Sequence, residues 1–162
     1  MAVDFYEYSE LKVETTDPAQ LKKIYTKKED LLKKLSEQYL SVVELGVTEW
    51  SLASLYMLGL SLEEFANFLY AIPVPKELNT DELKREYDNQ IKAQAMPYED
   101  EAMDYYEKTM SESARLKTVN IWTKYAQTRL IKLKPESNKQ YKEEIYVNSP
   151  SMDIIDYGFM GQ

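Results

Sequence analysis

The sequence contains neither cysteine nor histidine among its 162 residues. The lack of Cys excludes disulfides and thiol nucleophiles, and the lack of His removes the commonest acid–base residue and metal ligand. A metal site would therefore need oxygen ligands alone, and no stretch spaces carboxylates around a glycine as a calcium-binding loop does. We accordingly expect no catalytic residue, no cofactor and no bound metal ion.

Glycine and proline are also scarce, with 4 Gly and 6 Pro in the chain. Because both residues are frequent in turn-rich β architectures, their scarcity beside plentiful Leu, Lys, Glu and Ala favours long helices. The length suits a single domain with a substantial core. The composition therefore predicts an all-α fold.

An excess of positive charge is absent as well, since the net charge is −8 and the pI is about 4.7. This balance argues against nucleic acid or an anionic membrane surface as the main partner. The first nine residues, MAVDFYEYS, lack the basic start and apolar core of a signal peptide. We expect the chain to be an excised piece of a larger protein, with any targeting signal outside it.

The most apolar stretch runs from Thr48 to Pro75 and predicts a central helix over residues 48–72. Thr48 is a suitable N-cap, and Pro73 prevents further helical hydrogen bonding. One face carries apolar residues at steps of three or four, namely Leu55, Leu58, Leu62, Phe65, Leu69 and Ile72. A second row consists of Trp50, Ala53, Met57 and Leu60, so we expect neighbours on more than one flank. The longest uncharged part is well short of the roughly 20 residues that span a bilayer.

Local start and stop signals place the other helices. Asp17-Pro18 supplies an N-cap and a proline at the first helical position, and Gly46 supplies a left-handed C-terminal cap. Because the link to the central helix is so short, these two helices should form an antiparallel hairpin. Met96-Pro97 marks a further boundary. The five predicted helices cover residues 18–45, 48–72, 81–95, 98–117 and 120–134, after a packed lead-in or short helix.

Four carboxylates lie at the start of the helix predicted over residues 98–117. They are Glu99, Asp100, Glu101 and Asp104. Carboxylates in the first turn complement the positive end of the helix dipole. This position favours a structural role over a metal or acid–base site.

The tail, residues 136–162, is rich in Ile, Tyr and Met without a clean helical pattern. An apolar tail of this kind is expected to fold back onto a groove of its own domain or to lead into a further module. We therefore divide the chain into a helical domain, residues 1–135, and this tail.

Several motifs resemble a tetratricopeptide repeat. The stretch YEDEAMDYYEKTM, which begins at Tyr98, is similar to the second helix of that repeat, with Ala102 and Tyr106 at its packing positions. The spacing of Leu55, Leu58, Gly59 and Leu62 resembles the first helix of the repeat. RLIKLKP, residues 129–135, resembles the motif that closes the repeat. As a whole, the chain resembles the C-terminal helical region of large bacterial cell-envelope tetratricopeptide proteins, some of which accompany gliding-motility or outer-membrane machinery.

The resemblance implies antiparallel helical hairpins in a right-handed α–α superhelix of about five helices, located in the periplasm or cell envelope. In such solenoids the first helix of each pair contributes most of a concave face that binds a protein or peptide segment. By this analogy the candidate partner-binding residues are Asn67, Tyr70, Asn120, Trp122 and Lys124. Taken singly, however, Trp122 and Tyr70 suit the core better.

The sequence thus supports a non-catalytic protein–protein interaction scaffold, with no nucleic acid partner and no direct membrane insertion. An alternative is a piece that caps a longer solenoid and binds flanking repeats of the same protein. A third hypothesis is an all-α glycan-cleaving enzyme that uses carboxylates, because Glu136-Ser137 and the later GFMGQ are faintly similar to elements of lytic transglycosylases. A buried Glu136 in a cleft would favour the enzyme, and an exposed one would exclude it.

Overall fold

A computed structural model describes residues 2–134, without the side chains of residues 2 and 3, and shows five helices and no strand in that part. The helices are α1 (Ala2–Glu10), α2 (Pro18–Glu44), α3 (Thr48–Tyr70), α4 (Asp81–Arg115) and α5 (Ile121–Leu133). The predicted all-α class is confirmed for these residues. The predicted tail, residues 136–162, lies outside them.

Three predicted helices, at residues 18–45, 48–72 and 120–134, match α2, α3 and α5 to within two residues. Asp17 caps α2 by accepting a hydrogen bond from the Ala19 amide at 3.1 Å. Gly46 has a φ of +67°, the left-handed conformation predicted for it. The N-cap of α3 is Val47 and not Thr48, and no side chain caps it.

The predicted helix boundary at Met96-Pro97 is wrong, since α4 continues through Pro97. An internal proline removes one backbone hydrogen bond and typically costs about 3 kcal/mol. Here Pro97 and Ala93, whose carbonyl loses its donor, are both exposed, so water can hydrate that carbonyl. Packing on either side of Pro97 favours one continuous helix, because Ala95 is buried and the Tyr98 ring lies 4.6 Å from that of Phe65.

The predicted position of the acidic cluster is wrong for the same reason. Glu99, Asp100, Glu101 and Asp104 lie in the middle of α4 and cannot complement a helix N-terminus. Glu99 instead accepts a hydrogen bond from the Tyr70 hydroxyl at 3.1 Å and joins α4 to α3. Among the described residues no group of acidic side chains could hold a metal ion.

Contacts between the helices fix their directions. Tyr70 meets Glu99 and Gly59 meets Tyr106, so α3 and α4 are antiparallel. The contacts of Tyr56 with Trp122 and of Glu63 with Arg129 make α3 and α5 parallel. α2 is antiparallel to α3 across the Gly46 turn, and α1 is antiparallel to α2. Hence α1, α3 and α5 run one way, and α2 and α4 the other.

Helix α3 is the centre of the core, as predicted. Its main apolar face is buried, with Leu58, Phe65 and Leu69 at most 1% exposed. At the crossing with α4, a Cβ atom on Gly59 would lie 2.6 Å from the Tyr106 ring and 3.0 Å from the Ala102 carbonyl oxygen. The helices can approach this closely only because residue 59 has no side chain.

Helix α1 is held to the bundle by a buried lysine. The Lys28 ammonium donates hydrogen bonds to the carbonyl oxygens of Tyr8, at 2.6 Å, and Leu11, at 3.2 Å. It also lies 4.1 Å from the Tyr8 ring centre. Burial is the main reason that the pKa of Lys28 falls to about 8; Lys12 lowers it further and Glu64 opposes the shift. Lys28 therefore satisfies carbonyl groups at the end of α1.

Candidate binding surface on α3 and α5

The second apolar row of α3 lies at the surface. Trp50 is 62% exposed, and Ala53, Met57 and Leu60 are half-buried. The same spacing continues to half-buried Glu64 and exposed Asn67. We call these six residues the α3 row; it is about 25 Å long at 1.5 Å per residue.

An aromatic cluster adjoins this row where α5 packs against α3. The rings of Trp122 and Tyr125 each lie 5.7 Å from the ring of Tyr56. Tyr56 is itself a helical neighbour of Ala53 and Leu60, at positions i−3 and i+4. Tyr56 is buried, and the half-buried ring of Trp122 and the exposed ring of Tyr125 pack on it. The α3 row and the aromatic cluster of Tyr56, Trp122 and Tyr125 therefore lie side by side, and we call them together the α3–α5 surface.

Positive charge lies beside the aromatic cluster. Helix α5 contains Lys124, Arg129 and Lys132 and no acidic residue, although the whole chain has a net charge of −8. Tyr56, Tyr125, Thr128, Arg129 and Lys132 line a shallow depression of about 380 Å³. Lys132 is 69% exposed, so its ammonium group is accessible to a bound molecule.

A buried carboxylate, Glu63, holds one of the residues that line this depression, Arg129. Glu63 accepts hydrogen bonds from the Tyr106 hydroxyl at 2.7 Å and from Arg129 at 3.0 Å. Burial and the neighbouring Glu63 carboxylate raise the pKa of Tyr106 above its ordinary value, so Tyr106 remains a donor near neutral pH. Because its guanidinium group donates this charge-assisted hydrogen bond to Glu63, Arg129 is held in one position at the surface.

The five residues predicted to bind a partner do not form one cluster. Trp122 belongs to the aromatic cluster and is half-buried, and Lys124 is exposed on the first turns of α5. Asn67 ends the α3 row. Tyr70 is 42% exposed but bonds to α4, and about 21 Å of helix separates it from Tyr56.

Asn120 has a structural role at the start of α5. Its side-chain oxygen accepts hydrogen bonds from the amides of Trp122 and Thr123, both at 3.1 Å. These bonds satisfy amides that otherwise have no partner at a helix start. The side-chain oxygen of Asn120 is therefore already used within the fold.

Tyr56, Tyr125, Arg129 and Lys132 were not predicted as binding residues. A sequence signal for three of them existed, because Trp122, Tyr125, Arg129 and Lys132 follow helical steps of three, four and three. Only the packing of α5 on α3 shows that this row lies beside the second row of α3. Tyr56 carries no comparable signal, since its spacing places it between the two rows of its own helix.

No membrane span is found in the part of the chain that the structure describes, and the residues of the glycan-cleaving alternative lie outside that part. None of the helices at residues 2–134 is long and apolar enough to cross a bilayer. Glu136 and the GFMGQ motif, on which the glycan-cleaving alternative depends, lie outside the described residues.

Comparison with known proteins gives no relative from which a function could be transferred. The chain matches no protein-family model, no curated protein and no solved structure. Functional inference for this chain therefore depends on its own geometry.

Proposed function

We propose that this chain is a non-catalytic protein–protein interaction domain that binds a peptide segment along the α3–α5 surface. The observation that carries the proposal is a row of exposed and half-buried apolar side chains beside an aromatic cluster and an acid-free basic helix. Single exposed apolar residues are ordinary, but apolar residues grouped at the surface in this way are typical of binding sites. Trp and Tyr are frequent anchors because they combine a large apolar area with a polar tip.

The packing around Gly59 supports a tetratricopeptide-like arrangement. The contact of Gly59 with Ala102 and Tyr106 joins residues whose counterparts in the resemblance are packing positions of the first and second helices. Moreover, α3 and α5 are parallel. We assign α3 and α4 to one pair and α5 to the start of the next, although RLIKLKP at the end of α5 resembles the motif that closes a repeat. In helical solenoids the first helices of successive pairs line one binding face. The α3–α5 surface corresponds to that face.

The chemistry of the surface suggests the class of partner. Lys132 and Lys124 favour carboxylates, and the aromatic cluster and α3 row favour apolar side chains. We therefore propose a protein segment that combines Asp or Glu with large apolar residues. A flanking segment of the same protein satisfies this description as well as a separate partner does.

A peptide-display selection against the full chain tests the proposal. We expect enriched peptides to combine acidic and apolar residues. Replacing Tyr125 by Ala and Lys132 by Glu should weaken the binding of a selected peptide by more than about tenfold, or about 1.4 kcal/mol, since an anchor and a cation are lost. Fluorescence polarisation measures the affinities.

Lys23→Glu is the matched control, because it changes the same charge on the exposed side of α2. It should leave the affinity within about twofold of the wild type. Circular dichroism should show unchanged helicity in all variants. If no peptide is enriched, or if Lys23→Glu and the surface variants weaken binding equally, the proposed surface is wrong.

A further inference from the structure

The residues beyond α5 include a segment with the composition expected of a ligand for the α3–α5 surface. Residues 152–160 read MDIIDYGFM and contain two aspartates, six large apolar residues and no cation. These residues lie outside those that the structure describes. Their composition matches the class of partner proposed above.

Charge and polarity are complementary between the segment and the surface. Asp153 and Asp156 carry the charge opposite to that of Lys124 and Lys132 on acid-free α5. The apolar residues of the segment match the exposed ring of Trp50 and the half-buried Met57 and Leu60. Burying these groups together would remove apolar area from water on both sides.

The segment is also within reach of the surface. Helix α5 ends at Leu133, and because α5 is parallel to α3 its end lies near the level of Glu63, which Lys132 approaches to 3.8 Å. The connection from Lys134 to Met152 spans at most about 60 Å when extended and about 27 Å as a helix. Both lengths exceed the roughly 25 Å of the α3 row.

We propose that residues 152–160 bind intramolecularly to the α3–α5 surface and compete with an external partner. The inference rests on the proposed function, because it identifies an internal ligand for the same site. A tethered ligand has an effective concentration in the millimolar range when its connection can span the sites. An external segment must therefore displace the tail, which makes the tail autoinhibitory.

The absence of Cys permits a direct test with engineered cysteine pairs in the full chain. Ala53→Cys combined with Ile155→Cys should form an intramolecular disulfide at least about tenfold faster than Lys23→Cys combined with Ile155→Cys. Lys23 is a stringent control because it lies at the same end of the bundle as the end of α5. Its neighbour on α2, Tyr25, contacts Phe65 and Phe68 near that end of α3. Mass spectrometry in a glutathione buffer measures the rates.

A second cysteine position and a charge reversal extend the test. If Ala53→Cys reduces helicity, Asn67→Cys, at an exposed position of the α3 row, takes its place in the pair with Ile155→Cys. Asp153→Lys with Asp156→Lys should slow the disulfide at Ala53 by about fivefold and strengthen the binding of a display-selected peptide by about the same factor, because the competitor is weakened.

Equal disulfide rates at residues 53 or 67 and at residue 23 would overturn the inference. A disulfide that forms only between molecules would do so too, since the occupant would then be a second copy. The proposed function is tested separately. If selected peptides bind the α3–α5 surface although the disulfide rates are equal, the proposed function stands and only the inference about the tail is wrong. A fast specific disulfide without any peptide binding would restrict the surface to its own tail.

Discussion

Trp50 and Phe68 are two aromatic residues on the same side of α3 with opposite environments. They are 18 residues, about five turns, apart, so their side chains leave the helix in the same direction. Phe68 is 5% exposed and lies under Tyr25 and Lys28, whereas Trp50 is 62% exposed. The difference shows that a side chain on this helix is buried only where a neighbouring element covers it.

The comparison also separates a covered end of α3 from an open end. At the Phe68 end, α2 closes over α3 with Tyr25 and Lys28, and the Lys28 ammonium also holds α1. At the Trp50 end the same side of α3 remains open. We infer that the covered end stabilises the fold and that the open end is available to a ligand.

The largest effect is expected from truncating the covered member of the pair. Phe68→Ala should lower the free energy of unfolding by about 3 to 4 kcal/mol, because it leaves a cavity under Tyr25 and Lys28. Trp50→Ala should change it by less than about 0.5 kcal/mol. Urea unfolding followed by circular dichroism measures both. Similar losses for the two variants would show that the Trp50 end is also covered.

A second prediction concerns the side of α3 that faces α4. Gly59→Ala should destabilise the protein by about 2 to 3 kcal/mol, because the new methyl group collides with the buried Tyr106 ring. Gly46→Ala is the control: no atom crowds that position, and only the left-handed backbone costs about 1 kcal/mol. Thermal unfolding compares them, and equal losses would contradict the close crossing.

A third prediction concerns the lysine that covers Phe68. The pKa of Lys28 is about 8 in the folded chain and 10.5 when unperturbed. At pH values between these two, Lys28 therefore takes up a proton when the chain unfolds. The free energy of unfolding should therefore rise with pH in this window, by about 2 kcal/mol between roughly pH 7.5 and 9.5.

Lys28→Met removes the titrating group and provides the reference. The difference in unfolding free energy between wild type and Lys28→Met should shift in favour of the wild type as the pH rises. Urea titrations at several pH values measure it. Parallel pH profiles would show that Lys28 keeps an ordinary pKa and is hydrated in the fold.

The smallest predicted effect lies at the turn between α4 and α5, at the same end of the bundle as Trp50. Lys117 adopts a φ of 51°, and the Thr118 amide bonds to the Ser113 carbonyl oxygen at 3.0 Å, as in a helix-ending motif that prefers glycine. Lys117→Gly should stabilise the protein by about 0.5 to 1 kcal/mol, and Lys117→Ala should not. Loss of stability in the glycine variant would contradict this geometry.

Much of the fold was predictable because its signals are local. Asp17, Thr80 and Asn120 each accept a backbone amide hydrogen bond at the start of a helix, and Gly46 adopts the left-handed conformation after another. The break at Pro97 was predicted wrongly, because local propensity could not include the contacts of Ala95 and Tyr98 with the core. The packing of those two residues against the core outweighed one missing hydrogen bond.

The candidate surface was predictable only in part. Trp122 was correctly placed on α5, and the second row of α3 was recognised but assigned to the interior. Tyr56 could not be identified, and the row of α5 that contains Lys132 could not be placed beside α3, because the residues that they meet belong to another helix. A residue row on one helix acquires a partner or remains exposed according to how distant segments pack.

By itself, the amino-acid sequence determined that the described part of this protein is helical, where most of its helices begin and end, and that the chain has no Cys or His side chain for thiol or imidazole chemistry. These properties depend on side chains acting within a few residues or on residue types that are absent. Only the tertiary structure decided that Trp50 is exposed while Phe68 is buried, and that α5 places its basic row beside α3. Those outcomes depend on which helices meet, and such contacts join residues far apart in the chain.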